Sequence, residues 1–395
     1  MRVLFAATPP ISKVFALAPL AWAFRAAGHE TLLTYSEQTA LAAGTGLQVV
    51  DAAPGTSGNA ILAELFAARP ELVERWMEPL GDDPAKLAPG VAALNRPFLA
   101  TAVALADTWR PDLVVFEQSA PYGLVAAARA GVPAVQRNLG TIRTGGVHDE
   151  VLRLLADDLH RLGVPDVPSR PALTLEFVPP SMLPFPAPEG EFMRYVPYTG
   201  GAEMERLPAP GDRPRVVVTL GSIRPGMHGL GPLEATVAAA AELDAEFLLA
   251  LGDAAPEPLG VLPPNVRPIG WTPMDLLLPT CAGVVHHGGG GTALAAIWAG
   301  VPQLVALDPR YLGHKTLAPA VEKGGVGLVT LQDDVTPATL EALLADEAIR
   351  KATDQVRAEM ETLPAPADLV PTLAALTDAA ASADPAAGTA PAASH

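Results

Sequence analysis

The residues best suited to chemistry stand together at Val284-Val285-His286-His287-Gly288-Gly289-Gly290-Gly291-Thr292. An apolar strand runs into paired imidazoles, four glycines and a hydroxyl, and the helix-forming stretch 293–299 follows at once. Glycines put no side chain between the backbone and a bulky anion. The first N–H groups of a helix have no partner inside it, and that end of the helix carries partial positive charge. Together these features predict a cradle for a diphosphate. Thr292 can cap the new helix or donate to a phosphate, and a histidine at the strand end can add an N–H or a positive charge. Two other phosphate patterns are missing from this segment. No Gly-Lys-Ser/Thr follows the glycines, and there is no Gly-x-Gly-x-x-Gly register with its downstream acid.

Such a cradle needs a strand-to-helix turn at the end of a sheet, and the chain supplies two stretches that build sheets. Strands are predicted at 2–7, 31–34, 47–51, 112–116 and 133–136, with helices at 16–27, 37–43 and 122–130. Buried parallel strands joined by crossover helices give a doubly wound sheet. Residues 55–110 read as helical, interrupted by prolines and glycines, and suit an insertion that faces a substrate. Between 165 and 210 prolines crowd and periodicity disappears, which predicts a linker with its own pinned structure. Alternation then restarts, with strands at 215–220, 246–250, 266–269, 283–286, 303–306 and 326–329 and a helix at 233–243. The expected fold is α/β, two Rossmann-like doubly wound domains facing each other across a cleft, with ligands at the carboxyl ends of the strands. The expected division is 1–205 and 206–365, a C-terminal helix at about 366–380 packing back on the first domain, and a disordered Ala/Pro-rich tail at 381–395.

Composition narrows the partners. A chain of 395 residues suits two domains. Its net charge of −17 argues against nucleic acid or an anionic membrane surface as a partner. No apolar run approaches the ~20 residues that span a bilayer. The N-terminus enters a strand directly, without the apolar region of a secretion signal, and Cys281 is the only cysteine. A cytoplasmic location is therefore expected, with no internal disulfide and no cysteine-based metal site.

Five markers, in order along nearly the whole chain, carry a resemblance. They are Pro19-Leu20-Ala21-Trp22-Ala23-Phe24-Arg25-Ala26-Ala27-Gly28-His29-Glu30; Pro179-Pro180-Ser181 with Arg194-Tyr195-Val196-Pro197-Tyr198; Thr219-Leu220-Gly221-Ser222; Gly270-Trp271-Thr272-Pro273-Met274; and the His-His-Gly segment itself. With them the chain resembles a GT-B glycosyltransferase, close to the actinomycete enzymes that attach deoxysugars to antibiotics and other natural products. The resemblance implies inverting displacement at the anomeric carbon of a thymidine diphosphate sugar (dTDP-sugar), in a cytoplasmic enzyme that needs no metal or other cofactor. The partners it implies are a small-molecule donor and acceptor; a homodimer is left open. It places the donor in the C-terminal domain, on His287, Gly289, Gly290, Gly291 and Thr292, with Gly221 and Ser222 beside the phosphates. Trp271 would offer its flat indole to the nucleobase. The acceptor would lie in the N-terminal domain, where Ile11, Ser12, Phe15, Trp76, Tyr122 and Arg143 are the candidate contacts.

Two departures from the family pattern shape the chemistry. Where the family has a general-base histidine ahead of Pro-Leu-Ala-Trp, this chain has Lys13; the partner acid falls at Glu117. Lysine, with an ordinary pKa near ~10.4, is a poor base unless strongly desolvated. Glu117 then becomes the candidate base, which suits a phenol, or an aromatic carbon activated by one, better than an aliphatic alcohol. The acidic pair that usually holds sugar hydroxyls falls at Gly313-His314, in keeping with a deoxysugar, and Asp308 could supply the missing carboxylate. His148 is a further candidate base in the acceptor region, and His286 reads as a structural strand-end residue. A catalytically silent accessory protein that binds nucleotide sugar or a partner transferase is the alternative, distinguished by donor binding without consumption. A non-hydrolysing epimerase is poorer still, because the linker and Pro-Leu-Ala-Trp belong to transferases.

Overall fold

The computed structural model describes residues 1–77, 83–138, 140, 143, 146–204, 211–221, 229–252, 254–308 and 317–383. Among these, strands gather into two sheets in which every pairing is parallel. The first holds β1 (Arg2–Ala6), β2 (Glu30–Tyr35), β3 (Val49–Asp51), β4 (Leu113–Glu117), β5 (Ala134–Arg137), β6 (Leu173–Glu176) and β7 (Glu191–Phe192), in the order β3-β2-β1-β4-β5-β6-β7. The second holds β8 (Arg215–Thr219), β9 (Glu246–Ala250), β10 (Val266–Ile269), β11 (Gly283–His286), β12 (Gln303–Leu307) and β13 (Gly327–Leu331), in the order β10-β9-β8-β11-β12-β13. Runs such as Arg215-Val216-Val217-Val218-Thr219 are buried throughout, as central strands of a parallel sheet covered on both faces must be.

Both faces of the first sheet carry a core. Leu4, Ala6, Val114 and Phe116 point to one side, with the helix Tyr122–Ala130 packed on them. Val3, Phe5, Val115 and Val135 point to the other, under the helix Ile11–Ala26. On that second face the C-terminal helix, Pro366–Ala383, inserts Leu369, Val370 and Leu373 among residues of Ile11–Ala26. A helix beyond the second sheet thus closes the core of the first.

Two differences from the sequence reading bear on the site. The first long helix starts at Ile11 instead of residue 16, so Ile11, Ser12 and Lys13 form its first turn and not a loop. Its N-cap is Pro10, which makes no side-chain cap, so the usual Ser/Thr/Asp start signal is missing. The proline-rich stretch read as a linker also contributes β6 and β7 at the sheet edge. The prolines of this stretch fall outside both strands, so they remove no ladder N–H. No helix among the described residues is long and apolar enough to cross a membrane.

Candidate active site

In a doubly wound sheet the loops leaving the point where strand order reverses diverge, and a crevice opens between them. In the first sheet that point lies between β1 and β4. Thr8 follows β1, Glu117 ends β4 with Ser119 just beyond, and Lys13 rises from the first helical turn. Lys13 Nζ donates to Thr8 Oγ1 at 2.8 Å and to Ser119 Oγ, and lies 3.4 Å from Glu117 Oε1. The Glu117 carboxylate accepts from the Thr8 backbone N–H (3.1 Å) and hydroxyl (2.7 Å). It also accepts from the Ser119 N–H (2.7 Å) and hydroxyl (2.7 and 2.9 Å). Lys13 and Glu117, paired in the sequence reading, do meet. Glu117 has 0% exposure, so a proton can reach its carboxylate only through a neighbouring group. The same carboxylate anchors the loop, and removing one partner of such a buried pair typically costs about 3–5 kcal/mol.

The second sheet reverses between β8 and β11, and the glycine cradle leaves β11 there. His286 is buried; its Nδ1 accepts from Gly288 N–H at 3.1 Å and its Nε2 faces Gln303 Oε1 at 2.9 Å. That pairing calls for a neutral ring with its proton on Nε2, and burial pulls its pKa down to about 4. His286 is therefore a brace for the turn. Gly288, at φ +89°, makes the turn itself, in a region of backbone space that side chains disfavour. His287 then projects between Gly221 and Gly289. A Cβ on Gly221 would sit 2.5 Å from its Cε1, and one on Gly289 would sit 2.7 Å from its Nε2. The two glycines are what let the imidazole lie against both loops. Gly289 caps the helix Gly290–Trp298 without any side-chain hydrogen bond. Thr292 is the third residue of that helix and caps nothing, which leaves its hydroxyl for other work. Asp308, after β12, is fully buried. Ser222 and His314 lie outside the described residues.

The two sheets meet beside these clusters. The Phe15 ring, in the first helix, stands edge-on to Tyr198 at 5.5 Å and to Trp271 at 6.3 Å. Trp271 remains 37% exposed, so part of the indole is open. Tyr195 donates its phenol to the carbonyl of Gly291, at the head of the cradle helix, at 2.9 Å. Thr199 Oγ1 accepts from the N–H of Met274 at 3.0 Å.

The acceptor set is corrected in part. Ile11 is fully buried in the core. Tyr122 is a core residue too: its hydroxyl lies within 2.9–3.1 Å of Thr34 Oγ1 and the carbonyls of Thr34 and Ala7. Arg143 is spent on Glu176 at 2.9 Å and on the Phe185 ring at 4.1 Å. His148 is buried with Nε2 at 3.1 Å from Gln118 O, and burial lowers its pKa. Ser12 is exposed and Phe15 faces the junction. Trp76 packs on Phe66 and over Gly90, where a Cβ would come within 2.4 Å of its ring. The sequence reading missed Thr8, Ser119 and Arg137, and took Tyr195 only as part of a marker. Arg137 is buried, its guanidinium 4.1 Å over the Phe177 ring, and burial pulls its pKa down to about 10. Small hydroxyls such as Thr8 and Ser119 carry no motif, and the contacts Thr8–Glu117 and Lys13–Ser119 join residues more than a hundred positions apart.

Comparison with known proteins agrees with this geometry. Residues 22–221 match the N-terminal domain, and residues 234–376 the C-terminal domain, of the erythromycin biosynthesis protein CIII-like family. The chain belongs to that family. This CIII-like chain is 42% identical to the elloramycin glycosyltransferase ElmGT of Streptomyces olivaceus, over 93% of its own length and 96% of that enzyme's. Its fold matches the crystal structure of glycosyltransferase SnogD from Streptomyces nogalater with a TM-score of 0.81 at 35% identity, covering 95% of this chain and 100% of that one. Glycosyltransferase VinC, solved in complex with dTDP, matches with a TM-score of 0.76 at 31% identity over 96% and 100% of the two chains. The CIII-like chain is thus a GT-B glycosyltransferase, and its curated relatives include the deoxysugar transferases of antibiotic biosynthesis.

Proposed function

We propose that this enzyme transfers a deoxysugar, with inversion, from a dTDP-sugar to an aromatic polyketide-type acceptor, at a phenolic oxygen or the carbon beside it. The observation that carries the donor half is the seat of His287 between Gly221 and Gly289, beside helix amides that no side chain caps. Those N–H groups and the helix dipole take up negative charge as the diphosphate leaves, the service a cation would otherwise give, so no metal is required. Gly290, Gly291 and Thr292 line that end of the helix, and Trp271 offers the open part of its indole to thymine. The dTDP bound by VinC supports this choice of nucleotide. The second sheet holds the donor on this reading, and the first holds the acceptor near Lys13, Ser12 and Phe15.

Lys13 shapes the acceptor half. Its ammonium has no lone pair to receive a proton, and a carboxylate, with an ordinary pKa of ~4.3, is a weak base. A phenol near pKa ~10 yields its proton far more readily than an alcohol near that of water, ~15.7. The acceptor oxygen or carbon attacks the anomeric carbon from the face opposite the diphosphate, the proton leaves toward Glu117, and the bond to the diphosphate breaks.

Calorimetric titration with dTDP and with uridine diphosphate tests the donor assignment. Binding of dTDP in clear preference is expected, and equal or absent binding overturns it. Lys13 standing where the family has its base is also what favours an accessory protein that binds donor without consuming it. Turnover of donor with a phenolic acceptor by the pure chain decides against that role.

A further inference from the structure

Among the described residues Glu117 is the only carboxylate in the Lys13 cluster, yet it has no exposed surface. A proton bound for it must therefore pass through a neighbour. Resting on the transferase reading above, we propose that the hydroxyl of Ser119 is a catalytic residue that receives the acceptor's proton and hands its own to Glu117.

Counting protons and lone pairs singles out this hydroxyl. A serine oxygen has one proton to give and two lone pairs, whereas an ammonium has three protons and no lone pair. The Lys13 ammonium donates to Thr8 Oγ1 and Ser119 Oγ and pairs electrostatically with the Glu117 carboxylate 3.4 Å away. The Thr8 hydroxyl gives its proton to Glu117 Oε1 at 2.7 Å, and Thr8 is buried. Ser119 gives its proton to the same carboxylate at 2.7 Å and accepts from Lys13. Thr8 Oγ1 also lies 3.1 Å from Ser119 Oγ, but with both hydroxyl protons on Glu117 one lone pair on Ser119 remains, and Ser119 is half-buried where Glu117 and Thr8 are enclosed.

The loop holds that oxygen in place. The Ser119 N–H donates to Glu117 Oε2 at 2.7 Å, and its carbonyl accepts from Asn95 Nδ2 at 2.9 Å. Asn95 is fully buried and accepts in turn from the Tyr122 N–H at 3.2 Å. A proton acceptor fixed from both sides needs little reorganisation when charge moves.

The step balances. The acceptor's proton passes to Ser119 Oγ while the serine proton passes to a Glu117 oxygen. The acceptor's bond to the anomeric carbon forms, and the bond from that carbon to the diphosphate breaks with its electron pair. Glu117 loses one negative charge and the diphosphate gains one. Throughout, Lys13 donates to the serine oxygen and steadies any negative charge that builds there. The proton returns to solvent by the same hydroxyl after product leaves.

The test measures transfer from a dTDP-deoxysugar to a series of substituted naphthols of graded acidity, with dTDP affinity by calorimetry as the control. Ser119→Ala is expected to lower kcat by about 10²-fold for the least acidic naphthols and progressively less for the most acidic. Its dTDP affinity should equal wild type, and Ser119→Thr should stay within about tenfold of wild type because it keeps the hydroxyl. Wild-type kcat in Ser119→Ala, or a loss independent of naphthol acidity, overturns the relay while leaving the transferase reading intact. A wild-type chain that binds dTDP yet glycosylates no naphthol overturns the phenol reading and the relay with it.

Discussion

At the scale of single residues, the two clusters solve opposite electrostatic problems. Around Glu117, a buried carboxylate is matched by an ammonium, two hydroxyls and two backbone N–H groups. Around His287, two glycines let an imidazole lie against two loops, where the proposed function places the charge of a diphosphate. Gly221 sits at φ +72° with His287 against it, so Gly221→Ala adds roughly 1–2 kcal/mol of backbone strain and a clash that must push the ring aside. On the proposed donor site, Gly221→Ala and His287→Ala should each weaken dTDP binding while leaving acceptor binding intact. Calorimetry showing wild-type dTDP affinity in either variant would refute that role. His286 makes a different prediction. Its folded pKa of about 4 lies below the unfolded value near 6.5, so between these pH values the unfolded chain binds the extra proton. Its contribution is present above pH 6.5 and lost on acidification toward 4, a change of about 3 kcal/mol at most. Chemical denaturation of His286→Gln should show less loss of stability than wild type between pH 7 and 5. Parallel pH profiles would contradict the assignment.

At the scale of elements, strands and helices with strong patterns were legible and those without start or stop signals were not. The apolar strands at β9, β10 and β11 and the helix Tyr122–Ala130 fall where alternation places them. The start of the first helix was not legible, because Pro10 makes no side-chain cap. That five-residue difference puts Lys13 on a helix, which holds its stem far more firmly than a loop does. The strands β6 and β7 were hidden by the prolines that flank them and by their shortness. The C-terminal helix completes the face that carries Lys13. Leu373 is fully buried there, so Leu373→Ala should destabilise the chain by about 2–5 kcal/mol. A drop in thermal midpoint without loss of dTDP affinity is the expected pair of results. An unchanged midpoint would mean the helix does not hold that face.

At the scale of the whole molecule, two sheets present the carboxyl ends of their strands toward a shared junction at Phe15, Trp271, Tyr195 and Gly291. A ligand that binds the folded chain only, at a hundred times its dissociation constant, adds about 2.7 kcal/mol to stability. dTDP should raise the thermal midpoint of wild type and fail to raise that of His287→Ala. The net charge of −17 opposes the approach of a diphosphate, and salt screens that repulsion. The association rate of dTDP should therefore rise between low and physiological ionic strength. A falling rate would show that local donors dominate the approach.

The amino-acid sequence alone determined the doubly wound architecture and the glycine turn between β11 and the helix after it. Both rest on local signals: runs of apolar residues at strand spacing, and glycines between a strand and a helix. It also brought Lys13 and Glu117 to notice. Only the tertiary structure decided what surrounds them, because burial and hydrogen-bond partners are set by segments about a hundred residues apart. Thr8 and Ser119 enclose Glu117, and Ser119 keeps the one hydroxyl of that cluster with both a lone pair and a way out. Tyr122 and Ile11 likewise look like surface candidates in sequence and are core in three dimensions, since pattern shows which residues are apolar but not which face of the fold will cover them.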